Sequence, residues 1–86
     1  MQGIRRDYGE HDGIPSAGEY GKLSDGSWYG IPPEHPELLA GLRNHKVTEH
    51  EDGTITVSPS ILVWYEGADY RERWHGYLER GIWREV

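Results

Sequence analysis

The sequence of 86 residues contains no cysteine and no phenylalanine. Without cysteine the chain cannot form disulfides, thiolate metal sites or thiol nucleophiles, so its stability and any chemistry must come from other residues. Only 35% of the residues are hydrophobic, and a chain this short buries only about 60% of the surface that it exposes when unfolded. We therefore expect one small domain with a small core and a narrow margin of stability.

Long apolar runs and an excess of basic residues are also missing. The longest apolar run, Ile61 to Tyr65, is far too short for a membrane-spanning helix, and the N-terminus lacks the pattern of a signal peptide. The formal net charge of −6 opposes binding to a phosphate backbone. The sequence thus predicts a soluble, cytoplasmic protein with no membrane partner and no direct nucleic-acid partner, located in the host cytoplasm if it is phage-encoded.

Residues 1–27 are rich in glycine and poor in large aliphatic side chains. From Gly9 to Gly26 a glycine recurs every three to five residues, which favours loop or extended chain over a regular element. We predict a glycine-rich extended arm over 1–27 and a single small β-rich domain over 28–86. The residues expected to anchor the arm on the core are Tyr8, Ile14, Tyr20 and Leu23.

One short helix is predicted from Pro36 to Asn44. Proline fits the first turn of a helix, and the charged residues of this segment suit the dipole at both ends. Its leucines form one apolar stripe. A helix of about two turns is unstable alone, so we expect it to pack on a sheet.

Alternating β-formers predict strands in the rest of the chain, at 27–31, 45–50, 54–58, 60–66, 73–79 and 82–86. Asp52-Gly53 and Arg80-Gly81 are predicted hairpin turns because glycine tolerates a positive φ, and Pro59 predicts a bulge or an edge. The fold is therefore predicted to be mainly β (α+β). It would have a small antiparallel sheet of four to five strands, one short helix and the N-terminal arm.

The core is predicted from the alternation in the strands and from the helix stripe. The strand at 60–66 is apolar on both faces, which indicates that both faces are covered. The predicted core residues are Leu38, Leu42, Ile55, Val57, Ile61, Val63, Trp74, Leu78 and Ile82.

Residues 54–83 carry a Thr-x-Ser-Pro-Ser-Ile element followed by a hairpin that contains a histidine and a glycine at its turn. This pattern resembles a family of small β-rich bacterial and phage proteins of unknown function. The matching positions are Thr56, Ser58, Pro59, Ser60, Ile61, His75 and Gly81. The resemblance implies a β-rich fold and a bacterial or phage setting, but no activity. Many members carry cysteines that look like metal ligands, and this chain departs from that pattern.

The polar residues do not assemble into a recognisable catalytic or metal site. None of the five histidines forms the i, i+4 helical pair of a zinc protease, and His45 and His50 point to opposite faces of an extended strand. Ser58 and Ser60 lie outside any nucleophile elbow. We therefore predict no metal, no cofactor and no enzymatic activity. His75 is either structural, bonded to a nearby carbonyl, or faces a ligand.

The aromatic residues are all Trp or Tyr, so each ring carries a polar group that suits a partly wet interface. The same property suits the rim of a small core. If Trp74 and Leu78 face the core, alternation turns His75 and Tyr77 outward. The predicted binding residues are Trp64, Tyr65, Tyr70, Arg73, His75, Tyr77 and Trp83.

These features favour a small non-enzymatic protein-interaction module, phage-encoded, that binds or inhibits a host or defence protein. Its partner would be another protein, and its own oligomeric state stays open, a homodimer included. The alternative is a small-ligand or glycan-binding β-domain in which Trp64, Trp74 or Trp83 stacks on the ligand. A small enzyme and a virion component rank below both.

Overall fold

The first of two β-sheets comes from the N-terminal half of the chain. A computed structural model describes residues 1–7, 16–36, 38–64 and 72–86. The first sheet has the order β1-β2-β3-β4, with β1 parallel to β2 and the other neighbours antiparallel. Its strands are β1 (Ile4–Arg5), β2 (Glu19–Lys22), β3 (Trp28–Gly30) and β4 (Ala40–Gly41). The segment 1–27, predicted as an arm, therefore supplies two strands, and the predicted boundary at residue 27 falls inside the β2–β3 hairpin.

The second sheet comes from the C-terminal half and is antiparallel throughout, in the order β5-β6-β7-β8. Its strands are β5 (Lys46–Glu49), β6 (Ile55–Trp64), β7 (Glu72–Glu79) and β8 (Ile82–Glu85). The mainly β class is confirmed, with two four-stranded sheets in place of the one predicted. None of the described residues belongs to a helix long and apolar enough to cross a membrane.

The predicted helix from Pro36 to Asn44 is wrong in the part that the structure describes, which leaves out Glu37. Leu38 N–H bonds to His35 O at 3.0 Å in a turn, and the chain then enters β4, which pairs with β3. Two turns of helix gain little stability by themselves. Pairing with β3 instead satisfies the backbone groups at the edge of that strand.

The hairpins β2–β3 and β5–β6 close on the same kind of turn. Asp25-Gly26-Ser27 and Asp52-Gly53-Thr54 occupy equivalent positions, and the two glycines have φ values of +88° and +87°. In each turn one aspartate oxygen accepts two hydrogen bonds from the Ser or Thr two residues later, from its N–H (2.9 and 3.0 Å) and from its hydroxyl (2.6 Å in both). The predicted turn at Asp52-Gly53 is thus confirmed, and the sequence contains a second copy.

The two other irregularities predicted in the second sheet are also confirmed. Arg80 and Gly81 have φ values of +47° and +76°, the paired positive values of a two-residue hairpin turn. At Pro59, the five residues of β6 from Val57 to Ile61 lie opposite only three residues of β7, from Gly76 to Leu78, so the strand bulges.

The N-terminal residues connect the two sheets. Gln2 forms an antiparallel bridge with Ile82, and Gly3 N–H donates to Gly81 O at 2.7 Å. One residue further on, Ile4 N–H donates to Gly18 O at 3.1 Å, and the chain continues into β1. The edge of β8 is thereby covered, and a short extended segment pairs with both sheets.

Trp83 is the centre of the core between the sheets. Its side chain is 2% exposed, its Nε1 donates to Gly18 O at 2.8 Å, and its ring meets the Trp74 ring edge-on at 5.5 Å. A Cβ on Gly30 would lie 2.8 Å from a ring carbon of Trp83, so glycine is needed there for the close approach. The first sheet thus packs its backbone directly against a side chain of the second.

Most of the predicted core is confirmed. Six of the nine residues are buried, and Leu38 and Val63 pack partly buried against the cluster. The buried members are Leu42, Ile55, Val57, Ile61, Trp74 and Leu78. Tyr20, predicted as an anchor of the arm, is also buried, whereas Tyr8 and Ile14 lie outside the described residues.

The core prediction is wrong at Ile82, which is 46% exposed. Neighbouring residues of a strand face opposite sides, so burial of Trp83 turns Ile82 outward. The expectation that both faces of β6 are covered is likewise wrong at Leu62, which is 38% exposed.

Candidate functional site

The second sheet presents one face to the core and one face outward. Trp74, Leu78 and Trp83 point inward, so the residues that alternate with them point away from the core. We call this side the outer face, formed by Ser60, Leu62, His75, Tyr77, Glu79, Ile82 and Arg84. Three of its members are large apolar or aromatic side chains with 36–46% exposure, namely Leu62, Tyr77 and Ile82.

Cross-strand pairing determines which side chain lies beside each of these residues, and it places Ile82 opposite Glu79. The register places Leu62 opposite His75 and Tyr77 opposite Arg84. The Arg84 guanidinium carbon lies 5.2 Å from the centre of the Tyr77 ring, and Arg84 Nη2 lies 2.7 Å from Glu79 Oε1. A cation over an aromatic face is attracted by the ring, so the Tyr77 side chain is stacked by Arg84, which Glu79 holds in turn.

His75 is fixed by the neighbouring strand. Its Nε2 lies 2.9 Å from the hydroxyl of Ser60, and the carbonyl of the same serine accepts a hydrogen bond from His45 Nε2 at 3.2 Å. Ser60 therefore ties both β7 and the segment before β5 to the bulge of β6. Both roles considered for His75 stay predictions, since this contact is to a hydroxyl and the structural role named a carbonyl, and the half-buried ring borders the outer face.

The Pro59 bulge creates a shallow depression beside Tyr77. The concavity has a volume of 220 Å³, below the roughly 300–1,000 Å³ of typical small-molecule sites. Its lining comprises Thr56, Val57, Ser58, Pro59, Tyr77 and Glu79. A single side chain of a partner would fit this depression better than a whole ligand would.

The seven predicted binding residues separate into three groups. His75 and Tyr77 lie on the outer face, as alternation predicts. Trp83 does not, because its indole fills the space between the sheets. Trp64 and Arg73 lie in β6 and β7, and their side chains, together with all of Tyr65 and Tyr70, are outside the described residues.

Leu62, Ile82 and Arg84 are outer-face residues that the sequence reasoning missed as binding candidates. Leu62 and Ile82 were assigned to covered surfaces because they are aliphatic. The signal that could have found Ile82 is its position next to Trp83, since only one of two neighbours in a strand can enter the core.

A separate cluster of charges joins the two sheets around Arg5. Its Nε and Nη2 bond both oxygens of Asp7 at 3.1 and 3.2 Å, while Nη1 contacts Glu49 Oε2 at 2.5 Å and Gly53 O at 3.0 Å. The guanidinium also lies 5.1 Å from the ring centre of Trp28. The hydrogen bonds from Arg5 lower the pKa of Asp7 and the pKa of Glu49. The cluster is satisfied internally, which indicates a structural role.

Among the described residues, no three His, Asp or Glu side chains converge as a metal site would require. Comparison of the chain with protein-family models, with curated proteins and with solved structures found no match.

Proposed function

We propose that this protein is a small, non-enzymatic protein-interaction module that docks a partner protein on its outer face. The observation that carries the proposal is the exposure of Leu62, Tyr77 and Ile82 on one side of one sheet, beside a depression. Protein interfaces combine such apolar centres with Tyr and Arg, and these residue types dominate binding energies.

The rigidity of the surface supports the same role. Tyr77 and Arg84 stack on each other, and His75 is bonded to Ser60, so these side chains are ordered before a partner arrives. Side chains that are already ordered lose less conformational entropy on binding. A pre-arranged face of this kind favours specific docking.

The setting of the proposed interaction follows from the resemblance of residues 54–83 to small bacterial and phage proteins. That resemblance stays a prediction. It supports only a bacterial or phage setting, and from the small size, the acidic charge and the Trp and Tyr content we propose that a phage-encoded protein binds or inhibits a host or defence protein in the host cytoplasm. The negative charge of the whole chain favours a protein partner over nucleic acid.

The glycan-binding alternative has less support. Trp74 and Trp83 are 3% and 2% exposed and pack edge-on against each other, so neither ring offers a face to a sugar. Stacking would then rest on Trp64 alone of the three tryptophans first considered.

The proposal is tested with affinity-tagged protein and lysate of a bacterial host, with mass spectrometry of the retained proteins. We expect Tyr77→Ala and Ile82→Asp to lose a partner that the wild type retains, with an unchanged melting temperature. Glu85→Ala, an exposed change at the end of β8, serves as the matched control and should retain the partner. Retention by all three variants would refute docking on the outer face.

A further inference from the structure

Strand β5 is an edge of the second sheet. The hydrogen bond from His50 N–H to Thr54 O, at 2.8 Å, fixes which residues of β5 bond to β6. Because bonded pairs alternate in an antiparallel ladder, Lys46 and Thr48 bond to β6, while Val47 and Glu49 direct their N–H and C=O groups away from it. No described residue forms a hydrogen bond with these outward groups of Val47 and Glu49.

The equivalent edge of the β2–β3 hairpin is covered by the chain itself. When the two Asp-Gly turns are aligned, Tyr20 corresponds to Val47 and Lys22 to Glu49. Tyr20 O accepts a hydrogen bond from Arg6 N–H at 2.8 Å, and Lys22 N–H donates to Asp7 Oδ1 at 3.0 Å. In the first sheet, this type of edge is thus completed by an extended segment, whose backbone and Asp7 side-chain carboxylate bond to the strand.

A concavity lies next to the edge of β5 that no described residue covers. Its volume is 380 Å³, and its lining comprises Ser27, Trp28, Leu42, Arg43, His45 and Val47. Val47 belongs to β5 and points to the inner side of the strand. A strand added to β5 would therefore place a side chain next to Val47 and over this concavity, where Trp28 and Val47 offer apolar contacts beside the polar side chains of Ser27, Arg43 and His45.

The charges beside β5 favour an acidic occupant. Lys46 is exposed and forms no ion pair among the described residues, whereas Glu49 is engaged by Arg5 and Lys22. The free charge along β5 is therefore positive and lies on the side of the strand opposite to Val47.

We infer that β5 is a second docking site, which adds an extended segment of another protein as a further strand. The segment pairs with the backbone of Val47 and Glu49, inserts an apolar side chain into the concavity beside Trp28 and sets an acidic side chain against Lys46. Main-chain pairing provides affinity in this mode, and the pocket provides specificity. Because side chains alternate along a strand, the apolar and the acidic residue are separated by an odd number of positions.

The first test selects binders from a library of random linear peptides and follows the amides of the folded, full-length protein by NMR. We expect enriched peptides to combine an apolar and an acidic residue at odd spacing. On addition of such a peptide, the Val47 and Glu49 amide protons should gain protection from exchange, while that of Thr48 changes little. The inference would be overturned if no peptide is enriched, or if the exchange rates of the Val47 and Glu49 amide protons do not change when the peptide is added.

A matched pair of variants separates the backbone from the side chain. Glu49→Ala and Glu49→Pro both remove the carboxylate, but only proline also removes the outward N–H, which an edge strand tolerates. We expect the enriched peptide to bind Glu49→Pro about tenfold more weakly than Glu49→Ala, the effect of losing a well-formed hydrogen bond. Equal binding would count against strand addition, and the exchange experiment on the wild type decides the matter if Glu49→Pro does not fold.

Three further variants test the role of the Lys46 charge and the location of the site. Lys46→Glu should weaken binding more than Lys46→Gln does, because it repels the acidic residue of the peptide. Tyr77→Ala, on the outer face, should leave peptide binding unchanged. Loss of binding in Tyr77→Ala would show that the peptide binds the outer face and would refute the β5 site, without contradicting the function proposed for that face.

Discussion

The hairpins β2–β3 and β5–β6 close on turns of the same type, and their outer edges then differ. In the first hairpin the outward N–H of Lys22 is bonded to Asp7, and residues 4–7 run along the edge. In the second, the corresponding N–H of Glu49 has no partner among the described residues. The Glu49 carboxylate instead reaches across to Arg5 of the first sheet.

The difference shows how one local motif serves two purposes. The Asp-Gly turn determines the register of each hairpin, because the glycine adopts a positive φ and the aspartate holds the following Ser or Thr. It does not determine what covers the edge. An edge strand that stays open is a template for another chain, unless charges or short length discourage pairing. β5 is short and carries Lys46, which would limit its partners to those with matching charge.

The largest effect is expected where the two hairpins meet. Trp83→Ala removes the ring that packs on Gly30 and bonds Gly18, and it should lower the free energy of unfolding by about 3–5 kcal/mol. For so small a domain this would leave much of the protein unfolded. Chemical denaturation measures the change, with Ile82→Ala as the control. Because Ile82 is exposed, Ile82→Ala should lower the free energy of unfolding by about 0.5 kcal/mol or less. Similar losses in the two variants would contradict the central position of Trp83.

A smaller effect should separate the covered edge from the open one. Asp7→Ala removes two bonds to Arg5 and the acceptor of the Lys22 N–H, so it should lower the free energy of unfolding by about 1–2 kcal/mol. Glu49→Ala removes only exposed ion pairs, with Arg5 and with Lys22, and should be clearly milder. Denaturation of the two variants at one pH provides the comparison. A greater loss for Glu49→Ala would show that the covered edge contributes less than the geometry indicates.

The two turns should respond equally to acid. Hydrogen bonds from Ser27 and Thr54 lower the pKa of Asp25 and the pKa of Asp52. A carboxyl whose folded pKa is lowered stabilises the protein above its unfolded pKa, and that stability is lost as the pH falls through the folded pKa. We expect stability to decline from roughly pH 5 downward. Asp25→Asn and Asp52→Asn should each reduce this decline by a similar amount in denaturation curves recorded against pH. A change in only one variant would show that the turns are not equivalent.

The smallest effect concerns the third hairpin, which lacks the Asp-Gly turn. Arg80 has a φ of +47°, a region that asparagine tolerates better than arginine does. Arg80→Asn should therefore raise the free energy of unfolding by about 0.5 kcal/mol, because it relieves part of the cost of the left-handed conformation. Arg80→Val, a β-branched residue, should lower it. The opposite order in thermal unfolding would contradict this explanation.

The sequence predicted those parts of the fold that local chemistry controls. Glycine after Asp52 and after Arg80 indicated both C-terminal hairpins, and alternation located most of the core. The prediction of a helix from Pro36 to Asn44 was wrong because a leucine stripe is compatible both with a helix and with an extended chain that packs on a sheet. Pairing of β4 with β3 favours the extended chain. The strands in residues 1–27 are short and lie among glycines, which favoured loop over strand, although Asp25-Gly26 carries the same turn signal as Asp52-Gly53.

The site was only partly predictable for the same reason. Alternation from Trp74 and Leu78 correctly turned His75 and Tyr77 outward. It could not decide whether Ile82 or Trp83 enters the core, because both are strongly apolar and only the space beside Gly30 admits the indole. The open edge of β5 was beyond reach, since it depends on where residues 4–7 run in the folded protein.

Amide hydrogen exchange of the free protein, followed residue by residue by NMR, tests most directly whether the two equivalent edges differ. Lys22 and Glu49 occupy the same position in their hairpins, so their amide protons form a matched pair. We expect the Lys22 amide, bonded to Asp7, to exchange at least about tenfold more slowly than the Glu49 amide after correction for local sequence. Equal protection of the two amides would show that the edge of β5 is covered, and would contradict the account of one closed and one open hairpin.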